Sequence, residues 1–210
     1  MNSTHSRIEL VSMPIRIWHF VHGICIILLV LTGIPLRYPD LFVLFGTVRK
    51  TVQLHNLFGF IVTGDYFLWF FYYVLKRQMV RQYVPTFKDL SAGTMRQAQY
   101  YFFRIFFGDP APFEPSPESK FNSMQKITYA GIMFFILPLQ ILTGILLIDV
   151  ELFLPVIAAL GGVRVVDALH VILGYVFTSF LIMHFYLATL GHTVLAHFKM
   201  IVLGYEERHH

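Results

Sequence analysis

Two histidines, His170 and His184, stand 14 residues apart in the apolar run from Ala168 to His192. At about 100° and about 1.5 Å per residue, a helix returns them to within roughly 40° of one face, about 21 Å apart along its axis. A neutral imidazole keeps one ring nitrogen with a free lone pair and is a good axial ligand for haem iron. One helix of this kind can supply one ligand to each of two stacked haems, and two more histidines must complete the pairs. His19 and His55 each open another apolar stretch and are the candidates; His22, one turn beyond His19, competes with it. Gly59, four residues after His55, leaves room for a flat group to approach the backbone.

These side chains need apolar helices to hold them. The chain has 210 residues, 56% of them hydrophobic and only 13% charged, which is too apolar for an ordinary soluble domain of its size. Charges gather near the ends and between Lys76 and Lys126, leaving four windows long enough to span a hydrocarbon core, which takes about 20 residues. We expect spans at about 17–36, 57–75, 127–148 and 166–190, in an all-α, four-transmembrane-helix bundle forming one membrane domain over 1–210. The first window lacks a small-residue cleavage motif and reads as a retained span, with the mature chain beginning at or near Met1.

Orientation follows from the basic residues. With both termini cytoplasmic, twelve Lys and Arg lie inside and only Arg37, Arg49, Lys50 and Arg164 outside, a strong positive-inside bias. Membrane topology thus accounts for the net charge of +4 without nucleic acid, and the chain is expected in a cytoplasmic membrane. The same orientation sorts the histidines by depth: His19 with His184 at the inner ends of spans one and four, His55 with His170 at the outer ends of spans two and four. The single cysteine, Cys25, excludes a disulfide within the chain, and the absence of a CxxCH motif excludes covalent attachment of haem.

Other features are secondary. Asp65 lies about ten residues into the second span, roughly 15 Å deep by helical rise, where a carboxylate is costly. It reads as a hydrogen-bonded partner of a polar group on a neighbouring helix in preference to a proton relay. The loop over about 76–126 carries an aromatic and basic stretch, Phe87 to Phe107, expected to lie at the interface as an amphipathic helix, followed by the proline-rich GDPAPFEPSPES. LFVLFG at 41–46 should rest on the outer surface. Pro138 should kink span three, with Gly131, Thr143 and Gly144 as small packing positions. Short amphipathic pieces are expected at Leu152 to Val163 and His192 to Tyr205. The terminal His pair is set aside as a feature of either native or tag origin.

RIWHF at 16–20, LHNLFG at 54–59, FNSMQKITY at 121–129, LHVILGYVFTSFLIMHFYLATLGHT and the later LGYEE resemble the cytochrome b subunits of membrane formate dehydrogenases and thiosulfate reductases. The likeness covers nearly the whole chain; Phe20 stands where that family usually has tryptophan. It implies two b-type haems, ligated by His19 and His184 (inner) and His55 and His170 (outer); Arg16 and Gly59 are expected in the haem or quinone environment. It also implies a menaquinone or ubiquinone site near the inner haem, pointing to Asn122, Gln125, Lys126 and His192. An iron-sulfur or multihaem cytochrome subunit on the outer side would link the chain to a catalytic subunit. The chain would then be the quinone-reactive membrane subunit of a multi-subunit oxidoreductase, without the substrate-converting site. Alternatives are the cytochrome b subunit of a hydrogenase or of a quinol:multihaem cytochrome c oxidoreductase, a direct transmembrane reductase, or a haem-free transporter or anchor.

Overall fold

A computed structural model of the chain describes residues 6–40, 45–116, 119–190 and 194–208. It contains four helices long and apolar enough to cross a membrane: α1 (Met13–Arg37), α2 (Val48–Leu75), a third over Ser123–Ile148, and one over Val163–Ala188. The fold is the four-helix membrane bundle expected. Side chains such as Leu68 (72% exposed) and Ile182 (66%) point away from protein, as a lipid-facing surface requires. All four helices begin earlier than hydropathy indicates. Pro14 supports the start of α1, where a missing N–H costs nothing, and α2 takes up the charged turn containing Arg49 and Lys50.

Contacts divide the chain into two compact units. The first comprises 1–16, 70–135 and 198–210. Strand β1 (Ser6–Glu9) precedes α1; short helix α3 (Met79–Tyr83) follows α2. A wide π turn over Asp89–Gly93 then leads into α4 (Thr94–Phe102) and a 3₁₀ turn at Arg104–Phe107. This is the expected aromatic segment, with Phe107 83% exposed and Phe102, Phe103 and Phe106 exposed beside it. Helix α5 (Ser123–Gly131) opens the third span. Edge-to-face or tilted rings of Tyr73, Tyr83, Phe121 and Tyr129 stack in succession, their centroids 4.9 to 5.4 Å apart.

The third span changes pitch at Ile132–Ile136, where one π turn precedes α6 (Leu137–Ile148). Pro138 is the cause: it has no N–H to give the carbonyl four residues back, and its ring crowds that carbonyl, so the ladder widens.

The second unit comprises 17–69 and 136–197. After α6 comes α7 (Leu154–Ala159), the short piece expected there, then α8 (Val163–Ala188). Ile157 of α7 is fully buried against Leu146 and Val166 and so ties the loop to α6 and α8. Helix α9 (Ala196–Leu203) lies mostly in the first unit and ends at β2 (Tyr205–Arg208). Strand β2 pairs antiparallel with β1 in the register Ser6 to Arg208 and Glu9 to Tyr205. The ribbon is absent from the all-α expectation. It brings the two ends of the described chain together, as an even number of crossings allows.

Candidate functional site

All four candidate histidines fall in the second unit and meet in the expected pairs. His19, six residues into α1, places its ring centroid 6.1 Å from that of His184 on α8. His55, near the start of α2, lies 6.3 Å from His170, near the start of α8. A metal held between two imidazole nitrogens at about 2 Å each sets ring centres roughly 6 Å apart, so both pairs have the spacing of two donors to one ion. The rings are half-buried among apolar side chains.

Both pairs pass tests of fit for a flat, metal-centred group. The Nδ1 of His19 is buried with no hydrogen-bond partner among the described residues. A glycine follows three of the four histidines at the fourth position: Gly23, Gly59 and Gly174, each with nothing within 4 Å of where a Cβ would stand. Gly59 thus has the open space expected of it. Among the described residues no three His, Cys, Asp or Glu side chains gather around a common point. The donors come in twos, and a ligand set of this kind needs equatorial donors from the bound group itself.

Two threonines touch this site, Thr143, expected as a packing position, and Thr32, for which the sequence suggests no role. Thr32 Oγ1 lies 2.8 Å from His55 Nδ1, and Thr143 Oγ1 lies 2.9 Å from His170 Nδ1. The signal was present in the chain as a repeat: LTGI occurs at 31–34 and 142–145, and L-H-x-x-x-G at 54–59 and 169–174.

His22 does not join either pair. Its Nδ1 lies 2.8 Å from Asp65 Oδ2, and its ring stacks on Trp18, whose indole N–H donates to the Asp65 carbonyl. The expected polar partner of Asp65 is therefore His22.

Asn122, Gln125 and Lys126, expected around a quinone, lie in the first unit and have structural partners. Asn122 caps α5 and forms a reciprocal box with Gln125, each side chain bonding the other's backbone N–H. The Asn122 amide also donates to Tyr101 Oη at 3.2 Å. Lys126 Nζ lies 3.6 Å from Asp89 Oδ2. Burial pushes the Tyr101 phenol above its ordinary range, partly offset by the bonds from Asn122 and Gln97. Arg16 donates from Nη2 to the Val202 carbonyl on α9. His192 lies outside the described residues, as does part of the 41–46 stretch and of the proline-rich run.

A four-helix membrane bundle with two facing histidine pairs defines a membrane cytochrome of the b type. The chain belongs to the prokaryotic cytochrome b561 family, whose model matches residues 10–202. It is 29% identical over 204 residues to a protein of Escherichia coli (strain K12) named "Putative cytochrome YdhU", covering 95% of this chain and 74% of the relative. No solved structure gives a significant match. The family binds haem b, which makes this chain a bacterial membrane haem protein with a role in electron transfer and removes the haem-free transporter as a reading.

Proposed function

We propose that the chain holds two haem b groups, one between His19 and His184 and one between His55 and His170, and passes electrons across the membrane between them. The observation that carries this reading is the pair of histidine contacts, 6.1 and 6.3 Å between ring centres, both anchored on α8. Haem b supplies one-electron redox chemistry at its iron. The chain supplies placement. Helix α8 fixes its two imidazoles about 21 Å apart along one axis, and two histidines at each site would hold the haem iron and leave it closed to dioxygen. The apolar surroundings exclude water and favour the less charged reduced state.

The resemblance to formate dehydrogenase and thiosulfate reductase subunits supports a role as the quinone-reactive membrane subunit of a larger oxidoreductase. In this reading an iron-sulfur or multihaem partner meets the outer side, and menaquinone or ubiquinone binds on the cytoplasmic side, in the inner membrane. The entry to the third span remains the quinone site we favour. Tyr101 offers a hydroxyl there and Lys126 an ammonium that can donate to a headgroup oxygen, held in place by Asp89, while Asn122 and Gln125 shape the turn that presents them.

The test is a reduced-minus-oxidised spectrum with pyridine haemochrome quantification on the purified chain. Two haems b per chain are expected. No b-type signal, or one haem per chain, overturns the reading. Reoxidation of the reduced haems by a water-soluble quinone, slowed by Lys126→Ala, tests the quinone site.

A further inference from the structure

We propose that Thr32 and Thr143 are positioning residues that fix the tautomer and set the electron-donating strength of His55 and His170, and so lower the potential of the haem between them. The proposal rests on the reading of these histidines as haem ligands and deepens it.

The chemistry follows from counting hydrogens. A threonine hydroxyl has one hydrogen and two acceptor lone pairs. Thr32 sits 2.7 Å from the Leu28 carbonyl and 3.1 Å from that of Leu29, and Thr143 sits 2.8 and 3.1 Å from those of Leu139 and Gln140. A carbonyl only accepts, so each hydroxyl spends its hydrogen on its own helix. The oxygen that faces the imidazole must therefore accept, and Nδ1 of His55 and of His170 must be the protonated nitrogen. With Nδ1 protonated, Nε2 keeps its lone pair. At His170 that nitrogen lies 3.2 Å from the amide nitrogen of Gln140, a donor, as a lone pair requires.

A glycine follows each threonine, and at Gly144 the missing Cβ lets the ring come close. A Cβ at Gly144 would stand 3.2 Å from His170 Cε1, and one at Gly33 would stand 3.5 Å from His55 Cε1. The same Thr-Gly pair thus occurs at the end of α1 against the start of α2, and at the end of α6 against the start of α8. Both donors of one site receive it. His19 of the other site has no counterpart, since its Nδ1 is without a hydrogen-bond partner among the described residues. An acceptor on the distal N–H makes an imidazole a stronger donor, which favours ferric over ferrous iron. The clamp therefore separates the two sites in potential although both are bis-histidine.

The experiment uses the full purified chain carrying Thr32→Val or Thr143→Val, with Thr32→Ser and Thr143→Ser as conservative counterparts. Haem content, potentiometric titration and the low-spin electron paramagnetic resonance signal are read together. In the valine variants one haem shifts to higher midpoint potential with a moved low-spin signal, the other stays unchanged, and serine restores the wild-type values. If valine costs that haem altogether while serine keeps it at the wild-type potential, the hydroxyl is again the cause. Unchanged potentials in both valine variants, or serine variants that behave like valine, overturn the proposal. A wild-type chain without b-type haem would instead overturn the ligand reading on which it rests.

Discussion

The carboxylate of Asp65 on α2 and the imidazole of His22 on α1 lie 2.8 Å apart in the interior of the second unit. The contact disposes of two loose ends at once. A buried carboxylate is tolerable within apolar helices only with a hydrogen-bonding partner, and a histidine so engaged, stacked on Trp18, is occupied elsewhere than at a haem. Replacing Asp65 by Ala should leave His22 buried without its partner and lower stability by about 1 to 3 kcal/mol, read as thermal unfolding in detergent. Asp65→Asn, which keeps an acceptor, should cost less. Neither change, nor His22→Gln, should reduce haem content; loss of a haem in His22→Gln would put His22 back among the ligands.

The pairing of the histidines makes a sharper statement. Because α8 contributes to both sites, His184→Ala should remove the haem shared with His19 and spare the other. His55→Ala should remove the haem shared with His170. Each variant should retain about half the haem of the parent, and the two remaining spectra should sum to the parent spectrum. Loss of both haems in a variant that still folds, as judged by its helical circular dichroism, would mean that the sites are not independent.

Spacing at the glycines gives a graded test. A methyl at Gly33 meets His55 at ordinary van der Waals distance, whereas one at Gly144 would press on His170 at 3.2 Å. Gly33→Ala should leave the low-spin signal of the His55–His170 haem in place. Gly144→Ala should shift it, with a stability cost of up to about 1 to 3 kcal/mol if the ring cannot yield. Equal effects at the two positions would show that this difference in distance does not govern the ligand.

The spans and the four histidines were legible because both signals are local. An apolar window of about 20 residues and a separation of 14 within one helix need no knowledge of the neighbours. What escaped depends on groups far apart in sequence. The ribbon pairs residues 6–9 with 205–208, and polar strands of four residues carry no alternation to betray them. Thr143 reads as a small packing residue, and Thr32 carries no signal, because a threonine facing its own carbonyl looks the same in sequence whether or not an imidazole sits opposite. Asn122 is different: Asn-x-x-Gln before an apolar run is a capping signature, and it could have been read as structure before it was read as a quinone contact.

Asp89 ties the π turn that leads into α4 to the start of the third span, at Ser123 and Lys126, and the acid sensitivity of this link follows from the bonds that Asp89 accepts. Partial burial, the largest single influence, acts to raise its pKa. The Thr86 backbone N–H at 2.9 Å, the Ser123 and Thr86 hydroxyls at 2.8 Å and the Lys126 ammonium at 3.6 Å act the other way, and together they hold it at about 2. Gly93 packs so close to Ser123 that a Cβ would overlap it, so the Asp89–Gly93 turn has little room to relax. A carboxyl whose folded pKa lies below the unfolded value of about 3.9 stabilises the fold above that pH. The contribution fades as the pH falls through the window from about 4 to 2. Asp89→Asn should therefore raise amide hydrogen exchange in the turn and in the first residues of α5 at neutral pH. The difference between variant and parent should shrink toward zero as the pH falls through that window. A difference that stays constant from pH 7 down to 2 would mean that the carboxylate's charge does not hold the turn.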